Sequence, residues 1–380
     1  MKVLYLIDSL EGYGAEKSLV HIALNMTTVT PVFVHIYKGE KLKATLEEKG
    51  IKVYSLNLDH LYGFKKAVEL LSQILIKENP EILHSTLFRA EIVGRLMKKK
   101  FPNVILVGSF VSNSYGKLRY SQLSFLARIK LFSIQQIDRA TAGRVDYFIC
   151  NSKTIKISNI KALGIPEDKV HVIYRGRSFE GSKNSNKYIY PFLNEIKNEN
   201  KKIFLNVGRL AKGKGQLDLL KAFHMLNQRK SGNILVVAGD GPLREELSQT
   251  IKEMKLEEDV YLIGYTEEVP ELFSMVDFFV FPSYFEGLPG ALIEATIYNT
   301  PSIVSDIMEN KECLPADGAL FFQPGNINQL SEKMEEALYI ENWEPRVKKA
   351  FEYAQENFRI ECISKEYEIF YTQIKSKFKK

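Results

Sequence analysis

With 45% hydrophobic and 26% charged residues, the 380-residue chain has the composition of a soluble globular protein and is too long for one ordinary core, so two domains are expected. Its net charge of +6 is uneven: residues 1–175 carry 26 Lys and Arg against 15 Asp and Glu, a balance of +11, and residues 176–380 carry 26 against 31, a balance of −5. No run of about 18 apolar residues is present to span a bilayer, and the basic first half is expected to face something anionic.

From the first residue onward, strand-like apolar runs alternate with helix-like stretches, the pattern of parallel sheets with helical crossovers. MKVLYLIDSL meets Asp8 at once and reads as a first strand, not a signal peptide. Further strands are expected at PVFVHIY, IKVYSL, EILHST, VILVGSF, VDYFICNS and KVHVIY. Residues 177–202, rich in Ser, Asn, Lys and Glu, read as a linker. A second series follows at KIFLNVG, NILVVAG, VYLIGY, DFFVFPS, PSIVSD and ALFFQP. The fold class is therefore α/β with two doubly wound, Rossmann-like domains, whose ligands lie beyond the carboxyl ends of the strands. The expected boundaries are 1–178, a linker at 179–200, a second domain at 201–362, and a last helix at 363–380 that can pack back on the first. The cysteines Cys150, Cys313 and Cys362 lack CxxC spacing and read as small buried hydrophobes in a reducing, cytoplasmic setting.

In the first half, YGKLRYSQLSFLARIKLF (115–132) mixes Lys117, Arg119, Arg128 and Lys130 with Leu118, Leu123, Phe125, Leu126, Ile129 and Phe132. That is the mixture of an interfacial helix on an anionic membrane, although an amphipathic core helix has a similar pattern. A nucleic-acid partner is not expected, because the basic half has no reading motif or stacking platform.

Two segments of the second half carry chemistry. NVGRLAKGKG (206–215) sets Arg209 and Lys214 around a short loop between a strand and a helix, a site for a diphosphate. Gly208, Gly213 and Lys214 satisfy most of a Walker A pattern, but Gly215 stands where a Ser or Thr would hold magnesium, which argues against a P-loop NTPase. FPSYFEGLPGALIEAT (281–296) runs from a strand end through Gly287, Pro289 and Gly290 into a helix. The amides of Gly290, Ala291 and Leu292, at the positive end of that helix, would bind an anion. Glu286 before the helix and Glu294 about one turn inside it would hold hydroxyls of a sugar and of a ribose. The turn GDGPLREEL (239–247) reads as mostly structural, with Pro242 opening its helix. In GYG (12–14), Lys17 takes the place of the third glycine of a dinucleotide fingerprint, and no Asp-x-Asp triplet occurs to hold a divalent ion.

In this order GAEKSLVHIA, PEILHSTLFRAEIVGRL, VGRLAKGKGQLDLLKAF, VVAGDGPLREEL, LIGYTEEVPELFSMVDFFVFPS, the Glu-x7-Glu pair and PSIVSD resemble the family 4 glycosyltransferases over nearly the whole chain. The resemblance implies a retaining, metal-independent enzyme of the GT-B fold, with no cofactor, moving a hexosyl or N-acetylhexosaminyl group from a nucleotide sugar to a glycan or lipid-linked acceptor. It implies that Arg209 and Lys214 bind the diphosphate, Glu286 the donor sugar and Glu294 the ribose. Gly14 would let the first domain's backbone approach the donor. Gly208, Tyr265, Leu288, Gly290, Ala291 and Leu292 would complete the donor site, Tyr265 at the base. The first domain would be the acceptor side.

The chain also departs from the family. His84-Ser85-Thr86 stands for a His-x-His pair, and Val111 for a histidine against the donor sugar. His84 reads equally as an acceptor or sugar contact and as a satisfied strand-end histidine, and Ser112, Asn113 or Tyr115 are candidates for the missing polar contact. The alternatives to a transferase are a non-catalytic sugar-nucleotide binder and an epimerase of the same architecture.

Overall fold

The computed structural model describes residues 1–121, 123–179, 190–199 and 201–378. They form two units: residues 1–177 together with the chain from Phe358 onward, and residues 178–357.

The first unit is built on β1 (Lys2–Ile7), β2 (Thr30–Tyr37), β3 (Lys52–Leu58), β4 (Ile82–Thr86), β5 (Ile105–Phe110), β6 (Tyr147–Cys150) and β7 (Val170–Val172). All are parallel, in the order β3-β2-β1-β4-β5-β6-β7. Both faces are covered, which is why the strands read as continuous apolar runs. Val3, Tyr5 and Ile7 point to one face with Ile363, Tyr367, Phe370 and Tyr371 of the last helix, Ile360–Phe378. Leu4 and Leu6 point to the other, with Leu71, Val93 and Met97.

The return to this unit occurs earlier than position 363. Arg177 N–H donates to the Phe358 carbonyl at 2.7 Å and Ile360 N–H to the Arg177 carbonyl at 3.0 Å, a two-bond bridge that fixes the helix start. Cys150 and Cys313 are buried as expected, but Cys362 is exposed, on the outer side of this helix.

The second unit carries β8 (Lys202–Val207), β9 (Asn233–Ala238), β10 (Val260–Gly264), β11 (Phe278–Phe281), β12 (Ser302–Ser305) and β13 (Leu320–Phe322), again all parallel, in the order β10-β9-β8-β11-β12-β13. The strand order reverses between β8 and β11, so their following loops meet at the switch point.

Of the expected linker, residues 180–189 and 200 lie outside the described residues. Its later part is not a linker: Pro191–Asn198 is a helix that buries Leu193 and Ile196, and the Tyr190 hydroxyl lies 2.7 Å from Thr266 Oγ1 in the second unit. Pro191 supplies the start, its fixed φ suiting a first helical position. Pro242, by contrast, precedes its helix, which begins at Arg244.

The basic and apolar segment is not one helix. It divides into Lys117–Ser121 and Phe125–Ala142, with Ser124 at the second N-cap; Gln122 and the Leu118 side chain lie outside the described part. Leu131, Asp138 and Ala142 face inward, whereas Phe125 and Leu126 are 76% and 77% exposed and Ile129 and Phe132 share their side. No helix among the described residues is long and apolar enough to cross a membrane.

Candidate active site

Three loops of the second unit are locked together by glycines. After β8, residues 208–215 run into the short turn Lys212–Lys214 and then the helix Gln216–Arg229. Gly215 has φ +70°, and a Cβ there would strike the Pro282 carbonyl, so this loop can touch the one after β11 only because position 215 is glycine. Gly239, at φ +142°, likewise abuts the Gly208 carbonyl, and Leu210 N–H reaches the Asp240 carbonyl at 3.0 Å. The Asp240 carboxylate is spent on the Gly241 amide at 2.7 Å, consistent with a turn role.

This packing brings the cation of one loop to the carboxylate of another. Lys214 Nζ donates to both oxygens of Glu286, at 2.6 and 2.8 Å. The lysine side chain is 29% exposed and the glutamate 9%, so the pair sits at the base of the loops, open on the lysine side. Tyr284 holds the same loop from below: its amide donates to the Gly213 carbonyl at 2.9 Å and its hydroxyl to Asp218. Burial raises the Tyr284 hydroxyl to about 12, with the Asp218 bond adding to the effect, so it stays a donor.

The helix after Glu286 is Gly290–Ile297, with Pro289 at its N-cap. One expectation fails here. Leu292 N–H is taken by the Pro289 carbonyl at 3.1 Å, because the first turn is tight, and only the Gly290 and Ala291 amides remain for a ligand. Glu294 is the fifth residue of the helix and half-buried, one turn in as the spacing implied. Arg209 is exposed on the loop after β8; Gly208 and Leu288 are half-buried; Tyr265 is exposed just beyond β10.

Sequence reasoning missed Glu309, whose carboxyl is buried and raised by that burial, the charge of Glu286 adding to the effect while the Glu286 amide opposes it. It backs the Glu286 loop from the short helix Met308–Lys311. Neither a glycine nor a periodic pattern flagged it; only its place just after β12 could have.

In the first unit, Gly14 opens the helix Gly14–Leu24, exposed, and a Cβ there would meet no protein atom. Buried Glu16 shapes the preceding loop, accepting from Ser9 Oγ at 2.6 Å and the Gly12 and Tyr13 amides at 2.7 and 3.0 Å. His84 corrects the expectation of a sugar contact. It is wholly buried, with Nδ1 2.6 Å from the Tyr371 hydroxyl and Nε2 2.6 Å from Ser109 Oγ. Burial lowers its pKa to about 3, so it is a neutral core histidine. Asn113 Oδ1 is engaged by Ser158 Oγ at 2.5 Å, and Tyr115 donates to Asp138 at 2.7 Å, which removes Tyr115 as the missing polar contact. Ser112 is exposed, its hydroxyl 3.0 Å from that of Ser114.

The model described as Glycosyltransferase Family 4 matches residues 14–180, and that described as Glycosyl transferases group 1 matches residues 193–357. An uncharacterised glycosyltransferase of Methanocaldococcus jannaschii is 36% identical over 104 residues, 27% of this chain and 26% of that protein. The chain thus spans about a quarter of the length of the first curated relatives it matches. Identity is 24% over 386 residues, 99% of both chains, with an alpha-1,4-N-acetyl-D-galactosaminyltransferase of Campylobacter jejuni named for a PP-undecaprenol-linked acceptor. Among solved structures, HepE of Anabaena with UDP and glucose superposes with a TM-score of 0.83 at 19% identity, covering 98% of this chain and 100% of that one.

Two parallel doubly wound units of this kind, with a lysine loop and a Glu-x7-Glu helix start at the second switch point, make the fold GT-B and the class that of the glycosyltransferases. Within that class the chain belongs to the family 4 glycosyltransferases.

Proposed function

We propose that the protein transfers a hexosyl or N-acetylhexosaminyl group, with retention, from a nucleotide-diphosphate sugar to a glycan or lipid-linked acceptor in surface polysaccharide synthesis. The observation that carries this reading is the bidentate Lys214–Glu286 pair in the loop leading into a helix start whose Gly290 and Ala291 amides take no hydrogen bond among the described residues. An ammonium and two helix-start amides suit a diphosphate, and a carboxylate suits sugar hydroxyls. The likeness to HepE, solved with UDP and glucose, and to a relative named for a PP-undecaprenol acceptor supports both ends of the reaction.

Departure of the nucleoside diphosphate builds negative charge on its terminal oxygen. Arg209, Lys214 and the two amides act on that growing charge, so they lower the barrier more than they tighten ground-state binding, and no metal or cofactor is invoked. The acceptor hydroxyl attacks from the same face, and the leaving phosphate takes its proton. Glu286 orients the sugar and Glu294 the ribose. Gly208, Tyr265 and Leu288 of the second unit line the donor through backbone or surface contacts, and Ser112 and Asn113 of the first unit serve the acceptor.

A panel of UDP, GDP, ADP, CMP and dTDP sugars tests the reading through release of free nucleotide. At least one donor should be consumed, and more rapidly with acceptor present; a donor that binds but is never cleaved points to a non-catalytic binder. Glu294→Ala is expected to raise the donor KM about tenfold or more with a smaller change in kcat, the mark of a lost hydrogen bond to charge. Unchanged donor affinity in a titration would remove the ribose role.

The protein is further proposed to sit on the inner face of an anionic membrane. Phe125, Leu126, Ile129 and Phe132 form an exposed apolar side of one helix, with Arg128 and Lys130 exposed beside them. Apolar insertion plus basic attraction is what an interfacial helix needs. Wild type should sediment with anionic liposomes, and Phe125→Ser/Leu126→Ser/Ile129→Ser should lose most of that binding; equal partition of the two proteins would refute it.

A further inference from the structure

The Lys214 ammonium is oriented by Glu286, but no ion pair or hydrogen bond orients the Arg209 side chain among the described residues. What aims this exposed cation must therefore act through its main chain. The flanking residues are fixed by the loop after β9: Gly208 N–H donates to the Ala238 carbonyl at 3.0 Å, Leu210 N–H to the Asp240 carbonyl at 3.0 Å, and Leu243 N–H to the Leu210 carbonyl at 3.1 Å. The Arg209 carbonyl is taken instead by a side chain, Gln216 Nε2, at 3.1 Å. The peptide unit between Arg209 and Leu210 is thus held at both ends, its C=O by Gln216 and its N–H by Asp240.

Gln216 opens the helix Gln216–Arg229 and is 1% exposed. Its amide nitrogen faces Arg209 because a carbonyl can only accept, and its Oε1 is buried with no partner among the described residues. A buried oxygen without a donor is destabilising, and an apolar side chain of similar size would avoid it. Stability alone gives no reason for an amide at this position; the bond to Arg209 does.

We infer that Gln216 is a positioning residue: by holding the peptide unit after Arg209 it aims that guanidinium at the diphosphate without touching the ligand. The inference rests on the reading of Arg209 as a diphosphate cation and adds the residue on which the aim of that cation depends. A misplacement of about 1 Å can cost about 10²-fold in rate, and a long side chain recovers part of it, so a loss of about tenfold is expected.

The test uses Gln216→Met, which keeps the length of the side chain and removes the donor, with Gln216→Leu as a second apolar replacement should the first not fold. Two readouts are taken on the full chain: calorimetric titration with inorganic pyrophosphate, which carries the charge of the departed leaving group, and nucleoside diphosphate release from the sugar nucleotides. Gln216→Met should weaken pyrophosphate binding about tenfold and lower kcat about tenfold, with the donor KM within about twofold of wild type. Arg209→Ala should weaken pyrophosphate at least as much, and Gln216→Met should add nothing to it, whereas combined with Lys214→Ala the two losses should multiply. A glutamine with a structural role alone would lower every background alike. Pyrophosphate binding by folded Gln216→Met equal to that of wild type, or a loss that persists in the Arg209→Ala background, overturns the proposal. No pyrophosphate binding to wild type, or binding unchanged in Arg209→Ala, removes the diphosphate role of Arg209 and this inference with it. The expected pyrophosphate results without release from any donor sink the transferase reading alone and leave Gln216 as the residue that aims Arg209.

Discussion

Lys214→Ala should lower turnover about 10²–10³-fold, read as nucleoside diphosphate released from a sugar nucleotide, while the chain stays folded. The lysine is held before any ligand arrives: its ammonium spans both Glu286 oxygens and lies 5.9 Å from the centre of the Phe281 ring. A charge fixed in advance needs little reorganisation when the leaving group develops its own, which is where the rate effect arises. The pair is partly open to water, so its loss should change stability modestly. Removing the lysine also strips Glu286 of its counterion, and this second effect must be separated from the first. Lys214→Ala/Glu286→Gln does so. If the lysine served only to neutralise the glutamate, the double variant would recover; if both act on the same bound donor, it stays as slow as the worse single variant. Turnover within threefold of wild type in Lys214→Ala would discard the leaving-group role.

All thirteen strands were legible because parallel strands covered on both faces must be apolar throughout, and the sequence has such runs at each of those places. Lys214 and Glu286 were recognisable separately, each by the glycines around it. Their direct bond, across 72 positions, depends on Gly215 meeting the Pro282 carbonyl, a contact that spacing does not encode. Leu292 was misjudged because the choice between a free amide and a tight first turn is made by local dihedrals. His84 was undecidable for a related reason. What buries it is Tyr371, 287 residues later, and helical spacing in the last segment announces an apolar face without naming the sheet it covers. The early end of the linker was visible in principle, since Pro191 followed by Phe192, Leu193 and Ile196 is a short amphipathic helix, but the polar residues around it masked the signal.

Arg95→Met should destabilise the protein by about 3–5 kcal/mol, read as a lower urea midpoint at unchanged slope. Arg95 is 1% exposed in the helix Phe88–Lys100. It donates to Glu91 one turn earlier, to Asp138 of the helix Phe125–Ala142, and to Thr141 at 3.0 Å. Glu91 in turn accepts the Ser109 amide at 2.8 Å, so a single guanidinium links two helices to β5. Methionine fills the space but leaves two carboxylates buried without a cation. Burial already drives the Glu91 carboxyl upward against the pull of Arg95, and losing that pull raises it further. A carboxyl whose folded pKa lies above its unfolded one binds its proton more tightly when folded, so the variant loses stability as pH rises from the unfolded value near 4. Glu91 is already raised to about 7 with Arg95 in place, so the wild type shares this loss below that value, and the variant's extra defect should grow as pH rises through and above about 7, the opposite of ordinary acid denaturation. Adding Glu91→Gln and Asp138→Asn removes both stranded carboxylates and should restore much of the loss at about pH 8 and above. A defect that ignores pH, or a triple variant no better than the single one, would mean that Arg95 acts through packing and not as the counterion of this network.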